Sequence, residues 1–178
     1  MVVENVIQIE NPILKKRSKK VTSVESVETK MVIENLIDTM RDRGCVGMAA
    51  GQIGEKLKIF VSEIRQTECR DPKTVDKLRI FINPKIIWMS KKQIVMYEGC
   101  ASVANSNFFG PVKRSEKIKI SATDENGKKF KLKTNGLLAR VIQHEYDHLN
   151  GIEFVEKIID IKKVMSRSEY LKMMEKSK

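Results

Sequence analysis

The sequence predicts an α+β fold: mainly antiparallel strands around a central helix that carries H-E-x-x-H, with a further helix towards each end of the chain. Three observations carry that expectation. Strand-like runs follow one another through the middle of the chain with no helix between them. Residues alternate in character on both sides of Asn126-Gly127, a two-residue hairpin signal. Helical spacing of apolar residues is confined to three separate segments.

The elements follow in order. Ile33, Leu36, Ile37 and Met40 recur at i, i+3, i+4 and i+7 and predict an amphipathic helix over 27–43, ended by Gly44. "LKIFVSEI" (57–64) and "LRIFINPKIIWM" (78–89), rich in isoleucine and phenylalanine, read as strands. Between them lies the polar loop "RQTECRDPKTVD", in which Cys69 is idle. "QIVMYEG" (93–99) is a further strand, and "IKISATDENGKKFKLK" is the hairpin. Leu138, Val141, Ile142 and Leu149 line one side of a helix over 137–149, stopped by Asn150-Gly151. Ile161, Val164, Met165, Leu171 and Met174 predict a last helix over about 160–175 in which those side chains are buried.

The length of 178 residues suits one domain, 1–178, with a substantial core. No apolar run is long enough to span a membrane. The opening "MVVENVIQIENPILKKRSKK" lacks the pattern of a secretory signal, and three cysteines do not make a disulfide framework. A cytoplasmic protein is expected. The net charge of +11 and pI near 9.6 favour polyanionic surfaces, ribosomal RNA among them. Sparse aromatics, not interleaved with the basic residues, argue against a single-strand binding platform, and no sequence-specific nucleic-acid partner is expected.

"QHEYDH" (143–148) holds the only two histidines. On a helix, His144 and His148 lie one above the other and can share one metal ion. Glu145 then stands beside that ion as a general base. A catalytic metal takes three protein ligands and keeps an open position. With no third histidine, the remaining ligand is Cys, Asp or Glu. Glu153, Glu156 and Asp160 lie downstream; upstream, Cys100 in "EGCASV" follows a glycine at a strand end, where backbone can approach a ligand closely.

Taken together, "CVGMAAGQ" (45–52), "EGCAS" (98–102) and "QHEYDH" resemble, in order, the three motifs of the peptide deformylases, bacterial type or a divergent paralogue. The resemblance runs from about residue 8 to about 158. It implies hydrolysis of the N-formyl group from N-formylmethionyl nascent peptides, with release of formate. It further implies one divalent metal, Fe2+ first, with Zn2+, Ni2+ or Co2+ able to replace it, on Cys100, His144 and His148. Glu145 would move the proton, and the Gln52 amide and Ala101 N–H would stabilise the oxyanion. Val46, Leu137 and Val141 would wall the methionine slot. The peptide backbone would pair along Val46 and Gly47, and Gly99 would keep the approach clear. Glu98 and Arg114 would pair and steady the cysteine loop.

The chain departs from that pattern at four places. Cys45 replaces a glycine, and Gly44 is expected to absorb the backbone change. Ala101 stands for leucine and Ala104 for a frequent proline. "SVANSNFFGPVKR" is longer than usual, with no counterpart to a second substrate-side arginine. Two alternatives follow: a metallopeptidase or amidase acting on another N-acyl peptide, and a basic ribosome-binding protein with a non-catalytic metal site. From Lys157 to Lys178 the chain carries seven Lys or Arg against three acids, so the expected C-terminal helix would meet the ribosome and nascent chain.

Overall fold

A computed structural model describes residues 2–67 and 72–176. Cys69 and Lys178 lie outside the described residues. Among the described residues, eight strands and three α-helices follow one another: α1 (Val27–Asp42), β1 (Gly47–Ala49), β2 (Ile59–Ile64), β3 (Asp76–Met89), β4 (Gln93–Gly99), β5 (Phe108–Ser115), β6 (Lys117–Thr123), β7 (Lys129–Asn135), α2 (Gly136–His148), β8 (Met165–Ser166) and α3 (Arg167–Glu175). The strands form two antiparallel sheets, ordered β1-β2-β3-β6-β7 and β4-β5-β8. The expected α+β class is therefore the observed one.

Ser26 caps α1 by accepting from Thr29 N–H, and a stripe of Val32, Ile33, Leu36 and Met40 is buried. This stripe packs on Met48, Ile59, Val61, Ile80 and Ile82 of the large sheet. From the opposite face, Ala139 and Ile142 of α2 and the following Leu149 pack on Phe60, Phe81, Ile118 and Ile120. β2 is thus covered on both sides, which is why "IFVSEI" is almost continuously buried and does not alternate. Contacts of α1 with the sheet fall on β1 and β2. Beyond them, the same face of the sheet is exposed at β6 and β7.

The structure corrects two expectations. The hairpin turn is wider than two residues, because pairing ends at Thr123↔Lys129 and Gly127 alone has positive φ, at +77°. Asp124 closes the turn instead, its Oδ1 accepting from Asn126 and Lys128 N–H. The C-terminal helix begins at Arg167, not at 160. A short turn at Ile161–Lys163 and β8 precede it, and none of its residues is buried. Ile161 is 70% exposed, Leu171 40% and Met174 36%, so the apolar spacing there does not mark a core face.

Candidate active site

Helix α2 packs on the large sheet, touches β5 of the small one and delivers the histidines where β4 ends. Gln143 fixes it there: its Oε1 accepts from Ser115 N–H at 3.1 Å, and its Nε2 donates to Ser115 O at 2.9 Å and Ala139 O at 3.0 Å. His144 and His148 stack edge-on, with ring centroids 4.9 Å apart. Cys100 leaves β4 directly opposite, with Sγ 3.3 Å from His148 Nε2. Ligand atoms of Cys100, His144 and His148 all lie within 4.8 Å of one another, and all three residues are buried or nearly so. Glu153, weighed as a ligand from the sequence, instead lies behind His148, its Oε1 3.6 Å from Nδ1.

Glu98 organises the surroundings. Its Oε1 accepts from Arg114 Nε at 2.7 Å and Arg140 Nη1 at 2.5 Å; its Oε2 accepts from Arg114 Nη2 at 2.9 Å and faces His144 Nδ1 at 3.0 Å. That contact leaves His144 Nε2 for the cluster. Arg114 also reaches Asp147 at 2.7 Å. Arg140 donates onward to Val112 O at 3.1 Å and Ile94 O at 2.6 Å, tying α2 to β4 and β5. Burial opposes the charge on Glu98, yet His144 and Arg114 hold its pKa far below the usual carboxylate range.

The same balance sets the protonation of the cluster. Burial raises the Cys100 thiol, but the charge and hydrogen bonds of His148 and His144 overcome it and bring it down to about 6. Burial lowers His144, but Cys100 and Glu98 lift it to about 10. A thiolate between two imidazole rings is the donor set of a soft divalent cation. Burial raises Glu145 to about 7, and its Oε2 is buried without a hydrogen-bond partner.

The remaining residues singled out from the sequence surround this cluster. Gln52 Nε2 points at it, 3.4 Å from Cys100 Sγ and 3.2 Å from Ser102 Oγ, while its Oε1 accepts from Ala49 N–H at 2.8 Å. Val103 N–H donates to Cys100 O at 3.0 Å, which fixes the peptide that carries the Ala101 N–H. β1 is the outer strand of its sheet, so one edge at Gly47 is unpaired. A Cβ on Gly47 would lie 2.5 Å from Glu145 Oε1 and 2.8 Å from Val141 Cγ1, so only glycine lets this edge approach the general base. Val46 and Leu137 are half-buried, and Val141 is buried. Gly99 is different: its side-chain position is filled by the Phe109 ring, at 2.8–3.0 Å, so it serves packing on that side.

The departures have local causes. Gly44 has φ +65° and Cys45 does not have positive φ, so the glycine one place earlier absorbs the change. Ala104 has φ +47°, which proline cannot adopt, and Asn105 and Ser106 follow it in the left-handed region. Gln8 clamps this loop, donating to Ala101 O at 3.0 Å and accepting from Asn105 N–H at 3.1 Å. Sequence reasoning missed Gln8, Arg140 and Gln143. Arg140 had a signal: it is the one charged side chain in the apolar "GLLARVIQ" run, one turn before His144.

A family profile for Polypeptide deformylase matches residues 3–164. "Peptide deformylase 1" of Ralstonia nicotianae is 36% identical over 162 residues, covering 91% of this chain and 90% of that protein. The "Peptide deformylase" of Dictyoglomus thermophilum is 37% identical over 158 residues, covering 89% and 94%. Among solved structures, the Met-Ala-Ser bound class I type b peptide deformylase from Acinetobacter baumannii aligns with TM-score 0.82 and 31% identity, over 88% of this chain and 99% of that one. Peptide deformylase from Thermotoga maritima aligns with TM-score 0.79 and 31% identity, over 90% and 100%.

Proposed function

This chain belongs to the polypeptide deformylase family, and from that premise we propose a role for each residue of its site. It is a metal-dependent hydrolase, and its reaction removes the N-formyl group of N-formylmethionyl peptides as formate. The carrying observation is the convergence of one thiolate and two imidazoles beside a buried carboxylate that has an unpartnered oxygen. Cys100, His144 and His148 hold the divalent metal, Fe2+ in this reading. When bound, the metal supplies Lewis acidity, making water a stronger acid and drawing charge from the formyl oxygen.

Glu145 takes the proton of the attacking water and later gives it to the leaving amine. Its position against Gly47, at the open edge of β1, sets it beside a peptide that adds to that edge as a strand. Val46, Leu137 and Val141 receive the methionine side chain. The Gln52 amide, released from Ser102, and the Ala101 N–H donate to the developing oxyanion. Glu98, with Arg114 and Arg140 on one side and His144 on the other, holds that imidazole in one orientation. A purely structural metal site needs neither Glu145 nor Gln52. Ribosome encounter in the cytoplasm belongs to the same reading, because the substrate emerges there; the basic C-terminal segment is its expected contact. In the structure Lys172 of α3 is paired with Glu169 at 2.7 Å, which weakens that route. Among the described residues, no helix is long and apolar enough to cross a membrane.

The test is turnover of formyl-Met-Ala-Ser against its acetyl and free-amine analogues, with metal content measured after anaerobic purification. Only the formyl peptide should be cleaved, at a rate that tracks bound metal. Cys100→Ser should lose metal while keeping its fold, since a hydroxyl is a poor ligand for iron or zinc. Preference for the acetyl peptide, or full metal content in Cys100→Ser, would overturn the assignment.

A further inference from the structure

We propose that the outward face of β3, β6 and β7 is a docking surface for the phosphodiester backbone of RNA. The inner face of these strands packs on α2, so the outward side chains follow strand alternation: Lys117 and Lys119 on β6, Lys129, Lys131 and Lys133 on β7, and Lys85 on β3, all exposed. The register aligns them in rows. Lys85, Ser121 and Lys131 are cross-strand neighbours, and so are Trp88, Lys119 and Lys133.

This placement is locally unfavourable. Lys119 and Lys133 stand directly opposite one another, a like-charge pair that weakens a sheet. Neither β6 nor β7 contains an acid. Among the described residues, none of these lysines forms an ion pair. An uncompensated lysine lattice on a rigid sheet is matched by regularly spaced anions. Lysines two apart on β7 are separated by about 6.8 Å, a repeat that their long flexible side chains can match to phosphates along one strand. Trp88, 48% exposed at the end of one row, offers a ring to an unpaired base.

At the Thr123 end the face runs into a concavity of about 820 Å³, where Lys20, Lys58 and Tyr146 join Lys85, Lys129 and Lys131. Lys58 is recessed: burial, then Lys20, lowers its pKa. A flexible backbone can enter this concavity, whereas a flat bilayer cannot reach its floor. Phosphate binding without base-edge readout is indifferent to sequence and strongly dependent on salt. The choice of RNA rests on the deformylase reading, in which the substrate emerges from the ribosome.

The experiment compares two charge reversals of equal size in the full chain: K119E/K131E/K133E on the sheet face and K162E/K163E/K172E in the C-terminal segment. Binding of a fluorescein-labelled RNA stem-loop is followed by anisotropy between roughly 50 and 200 mM salt. The sheet variant should bind at least about tenfold more weakly, and its log–log salt slope should shrink by about 2–3, at ~0.7–0.9 for each of the phosphates that the three lysines no longer neutralise. The C-terminal variant should stay within about threefold of the parent, because its charges are already partly compensated. Equal weakening in the two variants, or none in the sheet variant, would overturn the proposal. So would a sheet-variant defect on phosphatidylserine vesicles but not on RNA. Turnover of formyl-Met-Ala-Ser is scored separately: its absence in the parent counts against deformylation, whereas weak RNA binding by the parent counts against the docking face.

Discussion

Two charged regions of this molecule behave in opposite ways. Around His144, the side chains of Glu98, Arg114 and Arg140 are buried, and every one has at least two partners. Between 160 and 175, Asp160 pairs with Lys163 and Glu169 with Lys172 at the surface, and no residue of α3 is buried. The first set costs several kcal/mol in desolvation and holds only because each charge is matched. The second is solvated, screened by salt and contributes little to stability. The difference separates groups that hold a reacting centre in place from groups that set solubility and encounter.

The largest effect should come from the centre itself. Glu145→Gln keeps the shape of the side chain but removes proton transfer, so turnover should fall by about 10²–10⁴. Metal content should be unchanged, because the three ligand groups are untouched. Near-parental turnover with metal bound would remove Glu145 from the mechanism.

Next in size is the buried network. Arg140→Leu takes one guanidinium from Glu98 and strands the carbonyls of Ile94 and Val112. Breaking such a buried pair costs about 3–5 kcal/mol. Urea unfolding should show it, together with weaker metal retention as His144 loses a fixed Glu98. Lys172→Ala, its counterpart on α3, should leave the urea midpoint essentially unchanged, because that pair is solvent-exposed and screened by salt. Similar costs for both would erase the distinction between the two regions.

The same division marks what could be read from the sequence. The reacting residues are legible because their chemistry restricts residue type and spacing: two histidines four apart, a glutamate between them, a cysteine after glycine. The helix at 27–42 and the strand at 93–99 are legible because one face of each element meets a core or a site. β5 is not, because "FFGPVKRS" mixes a Gly-Pro turn signal with charge, and its pairing with β4 is supplied by tertiary context. The three-residue β1 is too short to show a period. Arg140 and Gln143 sit on the histidine helix yet act across space on β4 and β5, which no local pattern encodes. The C-terminal spacing of Ile161, Leu171 and Met174 misled because periodicity states which residues share a face, not that anything covers it.

The smallest effect on turnover should come from a place where α3 touches the site's support. Tyr170 stacks on Phe109, with centroids 4.4 Å apart and planes 8° from parallel, and Phe109 covers Gly99 next to Cys100. Removing the ring in Tyr170→Ala takes away an aromatic pair worth about 0.5–1.5 kcal/mol beyond its area. In a chain of this size that is a fall in Tm of about 1–6 °C. Phe109 itself stays, held by β5 between β4 and β8, so the Gly99 backbone keeps its cover. Turnover of a short formyl peptide should therefore remain within a few-fold while thermal unfolding shifts. A hundredfold loss of turnover in a folded Tyr170→Ala protein would show that the C-terminal segment reaches the chemistry after all, and the boundary between the two regions would have to be redrawn at Phe109.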